Sequence, residues 1–286
     1  LIGAVIAAAK MDKKPTTDGV RGKVDGIGMV LLAVFMLSLC LSLNQGANLG
    51  FGNPIIICGF VVAVVSLLAL LKVEKKAEVP VIPLYLFKNK KYTGVIIAGA
   101  FITFYEVVMA SYVPVSGQAL MGLSASITGY FSLPRTIIAI VLAAPAAAWV
   151  VKNQAKNSAI GLAAAGLLAA VAFLGMIFVG AGSPAALPFI LIGITGFTEA
   201  LKGASFRPLV ISQLEQKDFG VGIGMMTATG TLLMTILLSI VGPVFTAVSA
   251  QNMGSALRFV YIVTVCCALI AVAITVFATK DSKSKN

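Results

Sequence analysis

The sequence predicts an all-α polytopic membrane protein, and three observations predict it. Of 286 residues, 59% are apolar and 11% are charged, with a mean hydropathy of +1.03; soluble domains run near about 45–50% apolar and about 25% charged. The apolar residues gather into runs of the roughly 20 residues that a helix needs to cross a hydrocarbon core of about 30 Å. All but two of the Lys and Arg residues fall between alternate runs. Open strands would leave backbone polar groups unpaired in lipid, so the runs are helices.

In chain order, residues 1–9 are apolar but too short to span, and no initiator Met or basic segment precedes them as in a signal peptide. They are expected to be the end of a helix that starts upstream, which makes the chain a fragment. Residues 10–26 form a basic loop, and 27–44 and 54–71 are two spans separated by the charge-free stretch 45–53. A basic linker, 72–93, leads to spans 94–116 and 125–151, which flank the charge-free stretch 117–124. Span 158–180 follows Lys152 and Lys156, and spans 185–201, 219–248 and 256–279 complete the eight. Residues 280–286 are a basic tail.

Nineteen of the 21 Lys and Arg residues lie in one set of loops, the alternate loops hold none, Arg258 sits at the edge of one of these, and Arg135 lies inside a span. The positive-inside rule then places the basic loops and the C-terminus in the cytoplasm of a multi-pass cell-membrane protein. Charge scattered in short clusters between spans is not the continuous basic face that nucleic acid requires, so no nucleic-acid partner is expected. The absence of His excludes His-ligated metal sites and His-based catalysis. Cys40, Cys58, Cys266 and Cys267 all lie inside apolar runs and read as packing residues. No nucleophile elbow, Walker loop or catalytic carboxylate pair is present, so neither an enzyme nor a cofactor or metal is expected.

Small residues permit close helix contact in lipid, where apolar burial gives little drive between helices. Gly161 with Ala165, Gly166 with Ala170, and Gly220 with Gly224 and Ala228 have the spacing for it. Gly220-x-Gly222-x-Gly224 enters a membrane helix rather than following a strand, so it is read as packing and not as a dinucleotide loop. Pro114, Pro134, Pro145 and Pro243 are positioned to bend their helices.

Ionisable side chains inside spans are costly and usually face a partner or a cavity. Glu106 and Arg135 lie on opposite arms of the hairpin around 117–124, each about 14 residues, roughly 20 Å, from its centre. At equal depth they are expected to face one another. Gly99, Thr103 and Ala110 share the Glu106 face, and Thr128, Ser132 and Ala139 share the Arg135 face. A static ion pair, a proton carrier on Glu106 and a site for a charged substrate all stay open for this pair. Glu199 and Lys202, three residues apart, are expected to form a local pair at the cytoplasmic membrane edge. Tyr105, Tyr112, Thr103, Ser132 and Glu199 are weaker candidates for a pathway lining.

Several stretches resemble the major facilitator superfamily, and within it the fourteen-span drug:proton antiporters of the EmrB/QacA type. Asp25-Gly26-Ile27-Gly28 opens a span after a basic loop, and Gly50-Phe51-Gly52-Asn53-Pro54 stands where the family often has Gly-Trp. The linker Glu78-Val79-Pro80-Val81-Ile82-Pro83-Leu84-Tyr85-Leu86-Phe87-Lys88-Asn89-Lys90 resembles the segment before the family's second six-helix half. Gln118 through Ser124, Gly129-Tyr130 and Leu133-Pro134 resemble the next external loop and span, and Glu215 to Gly224 resembles a helix entry. The stretch Ala148 to Lys156 departs from the family's glycine-rich loop pattern, with Ala in place of glycine and Lys152 in place of an acid. The resemblance implies that 27–71 is an extra hairpin and that 94–279 is the C-terminal six-helix half of a major facilitator fold, with the N-terminal half missing. It also implies proton-coupled export of small amphipathic molecules by alternating access. A carrier with a narrow substrate or no proton coupling, and a non-transporting membrane scaffold or sensor, are the alternatives.

Overall fold

A computed structural model describes residues 26–74 and 85–280. The expectations for residues 1–9, for the loop up to residue 25, for the linker around Pro80 and Pro83 and for the tail beyond Lys280 lie outside the described residues. Among the described residues, eight helical stretches are long and apolar enough to cross a membrane. They are Gly26–Gly46, Pro54–Glu74, Lys90–Met121, Ala125–Lys152, Gln154–Met176, Ala186–Ile211, Gln216–Ser249 and Met253–Thr279. They correspond one to one with the eight apolar runs. The largest difference is at the sixth, which runs ten residues beyond its expected end at 201.

The helices are α1 (Gly26–Leu49), α2 (Pro54–Glu74), α3 (Lys90–Ser111), α4 (Val113–Met121), α5 (Ala125–Gly129), α6 (Ser132–Lys152), α7 (Gln154–Met176), α8 (Ala186–Ile211), α9 (Phe219–Ser249) and α10 (Met253–Lys280). Local chemistry sets their ends. The Asn89 side chain accepts from the Lys91 and Tyr92 amides and starts α3, and Asn153 accepts from the Lys156 amide and starts α7 directly after α6. Gly122, at φ 66°, closes α4 in the left-handed region. Pro114 falls in the first turn of α4, where a missing amide is tolerated, so α3 and α4 are two helices joined at Tyr112. Pro145, Pro208 and Pro243 lie inside α6, α8 and α9.

The bundle is organised around α3. Its residues Tyr92, Ile96, Ile102, Phe104 and Tyr105 are all fully buried. Helix α8 packs on α6 and α7, α10 on α7 and α3, and α9 on α3 and α10. Helices α1 and α2 pack mainly on one another and meet the bundle through α1 against α9. The outer surfaces carry exposed Ile27, Val30, Ile55, Ile140 and Phe277, as lipid contact requires. The four loops at one end of the bundle (50–53, 122–124, 177–185 and 250–252) contain no charged residue, and the opposite end holds the Lys and Arg clusters.

Close approach is concentrated at a few glycines. A Cβ on Gly196 of α8 would stand 2.7 Å from the Arg135 carbonyl oxygen and 2.7 Å from Ile138 Cβ, so α6 lies on α8 only because Gly196 has no side chain. Gly161 likewise abuts Ser205, and Gly166 abuts Val272 and the Ala268 carbonyl. Gly220 and Gly224 differ from expectation: a Cβ on either would meet nothing within 4 Å, because this face of α9 carries no helix among the described residues. Only Gly222, between them, is packed, against Leu214.

The basic end is tied by three hydrogen bonds. Tyr85 Oη donates to Asp218 Oδ1 at 2.5 Å, Asn89 Nδ2 donates to the Gln213 carbonyl at 2.9 Å, and Tyr92 Oη donates to the Gly222 carbonyl at 2.9 Å. Together they hold the entry of α3 against the entry of α9. The bond to Asp218, with burial, pushes the Tyr85 phenol up to about 12.

Two outcomes follow from this packing. Gly196→Val lowers the melting temperature in detergent, at a cost of about 1–3 kcal/mol, whereas Gly224→Val leaves it unchanged; equal shifts would refute the assignment of close packing. A raised phenol pKa contributes stability that is complete below about pH 10 and lost as pH rises through about 12. The fall in melting temperature over that interval is therefore shallower in Tyr85→Phe than in the unmodified protein.

Candidate functional site

The mid-membrane charges meet on three helices. On α8, a helical spacing of three to four residues places Thr195, Thr198, Glu199, Lys202 and Ser205 on one side. Thr195, Thr198 and Ser205 are fully buried there. Glu199 accepts from two directions on one oxygen: Arg135 Nη2 of α6 at 2.8 Å and Tyr105 Oη of α3 at 2.6 Å. Lys202 forms an ion pair with Glu106 of α3. The ring of Tyr105 lies between the two pairs, with Arg135 Cζ at 5.9 Å and Lys202 Nζ at 5.7 Å from its centroid. Both cations are thus within reach of its π face.

This arrangement corrects two expectations. Glu106 and Arg135 do not pair with one another, and Glu199 and Lys202 do not form a local pair at the membrane edge. Each member of the α8 pair reaches a different helix, Glu199 to α6 and Lys202 to α3. The reason is the length of α8. Arg207 and Pro208 read as a loop, yet Leu209, Val210 and Ile211 continue the helix beyond them, so Lys202 lies well inside it. Lys202 is the functional candidate that sequence reasoning missed. Its place on the polar side of α8 and the apolar run after Pro208 were the signals for it.

The charges are unequally exposed. The side chains of Glu106 and Glu199 are 31% and 33% exposed, against 12% for Lys202 and 22% for Arg135. The carboxylate is thus the more exposed member of each pair. Glu106 and Arg135, one from each pair, line a cavity of ≈ 320 Å³ that reaches toward the 122–124 loop and is lined also by Met109, Ala110, Val113, Pro114, Thr128, Phe131 and Ser132. Glu106 and Arg135 thus line one cavity although they pair elsewhere. Ala110, Thr128 and Ser132 of the weakly polar stripes line it too.

The remaining candidates divide. Ser132 donates to the Gly129 carbonyl at the cavity wall, and Thr103 donates to the Gly99 carbonyl of its own helix. Gly99 is covered by the Phe206 ring of α8. Tyr105 is at the centre of the charge cluster. Tyr112 is not: it stacks edge-to-face on Phe245 of α9 at 4.9 Å and lines a second cavity. Hydrogen-bonding capacity remains in the cluster, because buried Arg135 Nε and the buried hydroxyls of Thr198 and Ser205 have no hydrogen-bond partner.

No protein-family model matches the chain. Over 141 residues it is 28% identical to the multidrug transporter protein MdtP of Bacillus subtilis (strain 168), a stretch covering 49% of this chain and 26% of that protein. Over 122 residues it is 30% identical to multidrug resistance protein 3 of the same organism, covering 42% of this chain and 24% of that one. Over 72 residues it is 40% identical to the quinolone resistance protein NorB of Staphylococcus aureus (strain MRSA252), covering 25% and 16%. The similarity is to drug-transport and drug-resistance proteins. The matched stretches span about a quarter or less of those relatives' length.

The two ion pairs yield a double-mutant test. Glu106→Gln leaves the Lys202 ammonium buried without its counter-charge and costs on the order of 1–3 kcal/mol, reduced from a fully buried pair by the exposure of Glu106. Lys202→Met added to it recovers most of that loss. Additive melting-temperature changes in the two single variants and the double variant would rule out the Glu106–Lys202 contact.

Proposed function

We propose that the protein is a secondary transporter of the major facilitator type that exports small amphipathic molecules in exchange for protons. The reading places the chain in the EmrB/QacA group and takes its C-terminus as cytoplasmic in the cell membrane. It assigns 94–279 to the second six-helix half and residues 27–71 to the additional hairpin. Its partners are the substrate, the proton, surrounding lipid and a counterpart six-helix half of the same polypeptide; no nucleic acid, metal or cofactor takes part.

One observation carries the reading: two carboxylates and two cations, in balance, lie in mid-membrane on three different helices beside a cavity. Helices packed in lipid do not need such a cluster, and its cost points to an ion or proton pathway. Protonating Glu106 or Glu199 removes one negative charge and leaves its cation uncompensated in a low-dielectric setting. The cluster then favours a different arrangement of α3, α6 and α8, which is how a proton gradient drives alternating access. Similarity to proteins named as multidrug transporters supports a drug-like substrate.

A static role for the pairs is the competing reading, and the direct pairing of all four side chains favours it. Transport separates the two. The complete reading frame is reconstituted in vesicles with a pH gradient, and export of a fluorescent amphipathic dye is followed. Glu106→Gln and Glu199→Gln are expected to lower gradient-driven export at least about tenfold, the effect of about 1.4 kcal/mol, while downhill exchange of dye persists. Gradient-driven export retained in both variants would overturn proton coupling at this cluster. Loss of export and exchange together would assign the pairs a structural role.

A further inference from the structure

The junction of α3 and α4 separates two cavities. One is the charged cavity described above. The other, of ≈ 470 Å³, lies at the seam where α1 meets α9 at the charge-free end of the bundle. Its walls contain Asn44 of α1, Ser111 and Tyr112 of the junction, and Leu238, Pro243 and Phe245 of α9. No Asp, Glu, Lys or Arg lines it.

The polar groups in this seam are of two kinds. Those of α9 are occupied: Thr235, Ser239 and Thr246 each donate to a carbonyl four residues back in their own helix. The side chains of Asn44, Ser111 and Tyr112, on the opposite wall, make no hydrogen bond among the described residues. Leu238, Pro243 and Phe245 supply the apolar surface facing them. The seam thus sets the hydrogen-bonding side chains of Asn44, Ser111 and Tyr112 beside apolar surface from Leu43, Val115, Leu238, Pro243 and Phe245. Its volume falls within the about 300–1,000 Å³ typical of small-molecule sites.

We propose that this seam binds an uncharged amphiphile with a hydroxyl or amide head group, entering from the surrounding lipid. Three points lead to that class. A bare acyl chain lying over Asn44, Ser111 and Tyr112 would cover them without giving them partners, which is costly. A cationic or anionic head group would find no counter-charge on the lining and would be desolvated without compensation. A neutral head group with hydrogen-bonding capacity satisfies the free wall, and its apolar body lies on Phe245 and Leu238. The site is distinct from the Glu106–Arg135 cavity.

Photolabelling of the full-length protein in nanodiscs tests this. Three probes share one diazirine-bearing chain and differ in the head: a monoacylglycerol, a trimethylammonium and a plain hydrocarbon. The monoacylglycerol is expected to label the segments around Tyr112 and Phe245 about fivefold more than either other probe, the preference that one hydrogen bond supplies. Tyr112→Phe, which keeps the ring, lowers that labelling toward the hydrocarbon level. Leu238→Trp fills the space and lowers labelling by all probes. The preference among the three probes persists in Glu106→Gln whatever the total labelling, which separates the site from the export reading. Displacement by unlabelled glycerol monooleate alone marks a membrane amphiphile as the occupant, and displacement by 2-naphthol as well extends the site to free neutral compounds. Equal labelling by the three probes, or labelling that Tyr112→Phe leaves unchanged, overturns the proposal.

Discussion

Charge balance inside the membrane is the constraint on which the rest of this structure depends. Two cations and two carboxylates stand at a depth where each alone would be expensive, so each must be met by an opposite charge from another helix. Helix α8 does this for the whole bundle, sending Glu199 to α6 and Lys202 to α3. The small residues follow from that requirement. Gly196 lets α6 come close enough to α8 for Arg135 to reach Glu199, and Gly99 leaves space for Phe206 where α3 meets α8 near the Lys202 pair. Tyr105 joins the two halves of the cluster by donating to Glu199 while its ring faces both cations.

The fold was largely legible because the bilayer makes a simple demand on sequence. Runs of about 20 apolar residues can do little else than span as helices, and the loop charges count them independently. The site was legible only in part. Position along the hairpin singles out Glu106 and Arg135 together, and the two line one cavity. Depth does not specify direction around the helix axis, however, and the partners come from a third helix, remote in sequence. Lys202 was hidden for a local reason: a cation followed by Arg207 and Pro208 looks like the end of a span. Here the proline lies inside the helix, and the apolar turn after it keeps Lys202 within. The glycines of α9 show the converse. Their spacing suits close packing, but spacing cannot say whether a neighbouring helix is present.

Tyr105 and Tyr112 show how a backbone break changes what spacing implies. Residues seven apart lie on almost the same side of a continuous helix. The two tyrosines therefore read as one pathway lining. Helix α3 ends at Ser111 and α4 begins at Val113, with Pro114 in its first turn. The helix is interrupted at Tyr112, and the second tyrosine meets Phe245 of α9 while the first stays with the charges. A single imide residue thus divides one polar stripe into two surfaces with different chemistry.

The two cavities share this junction as a common wall. Met109, Ala110, Val113 and Pro114 face the charged cavity, and Ser111, Tyr112 and Val115, interleaved with them, face the neutral seam. Seven consecutive residues cannot move one set without moving the other, because the two sets alternate along less than two turns. Any rearrangement of α3 that follows protonation at Glu106 must therefore be felt at Tyr112, and any molecule that fixes Tyr112 must favour one position of Ala110 and Val113. Coupling of this kind is reciprocal in free energy: whatever the proton does to the seam, an occupant of the seam does to the proton affinity of the cluster. The junction at Tyr112 is thus the short physical path by which charge in the membrane and an uncharged ligand at its margin act on one helix.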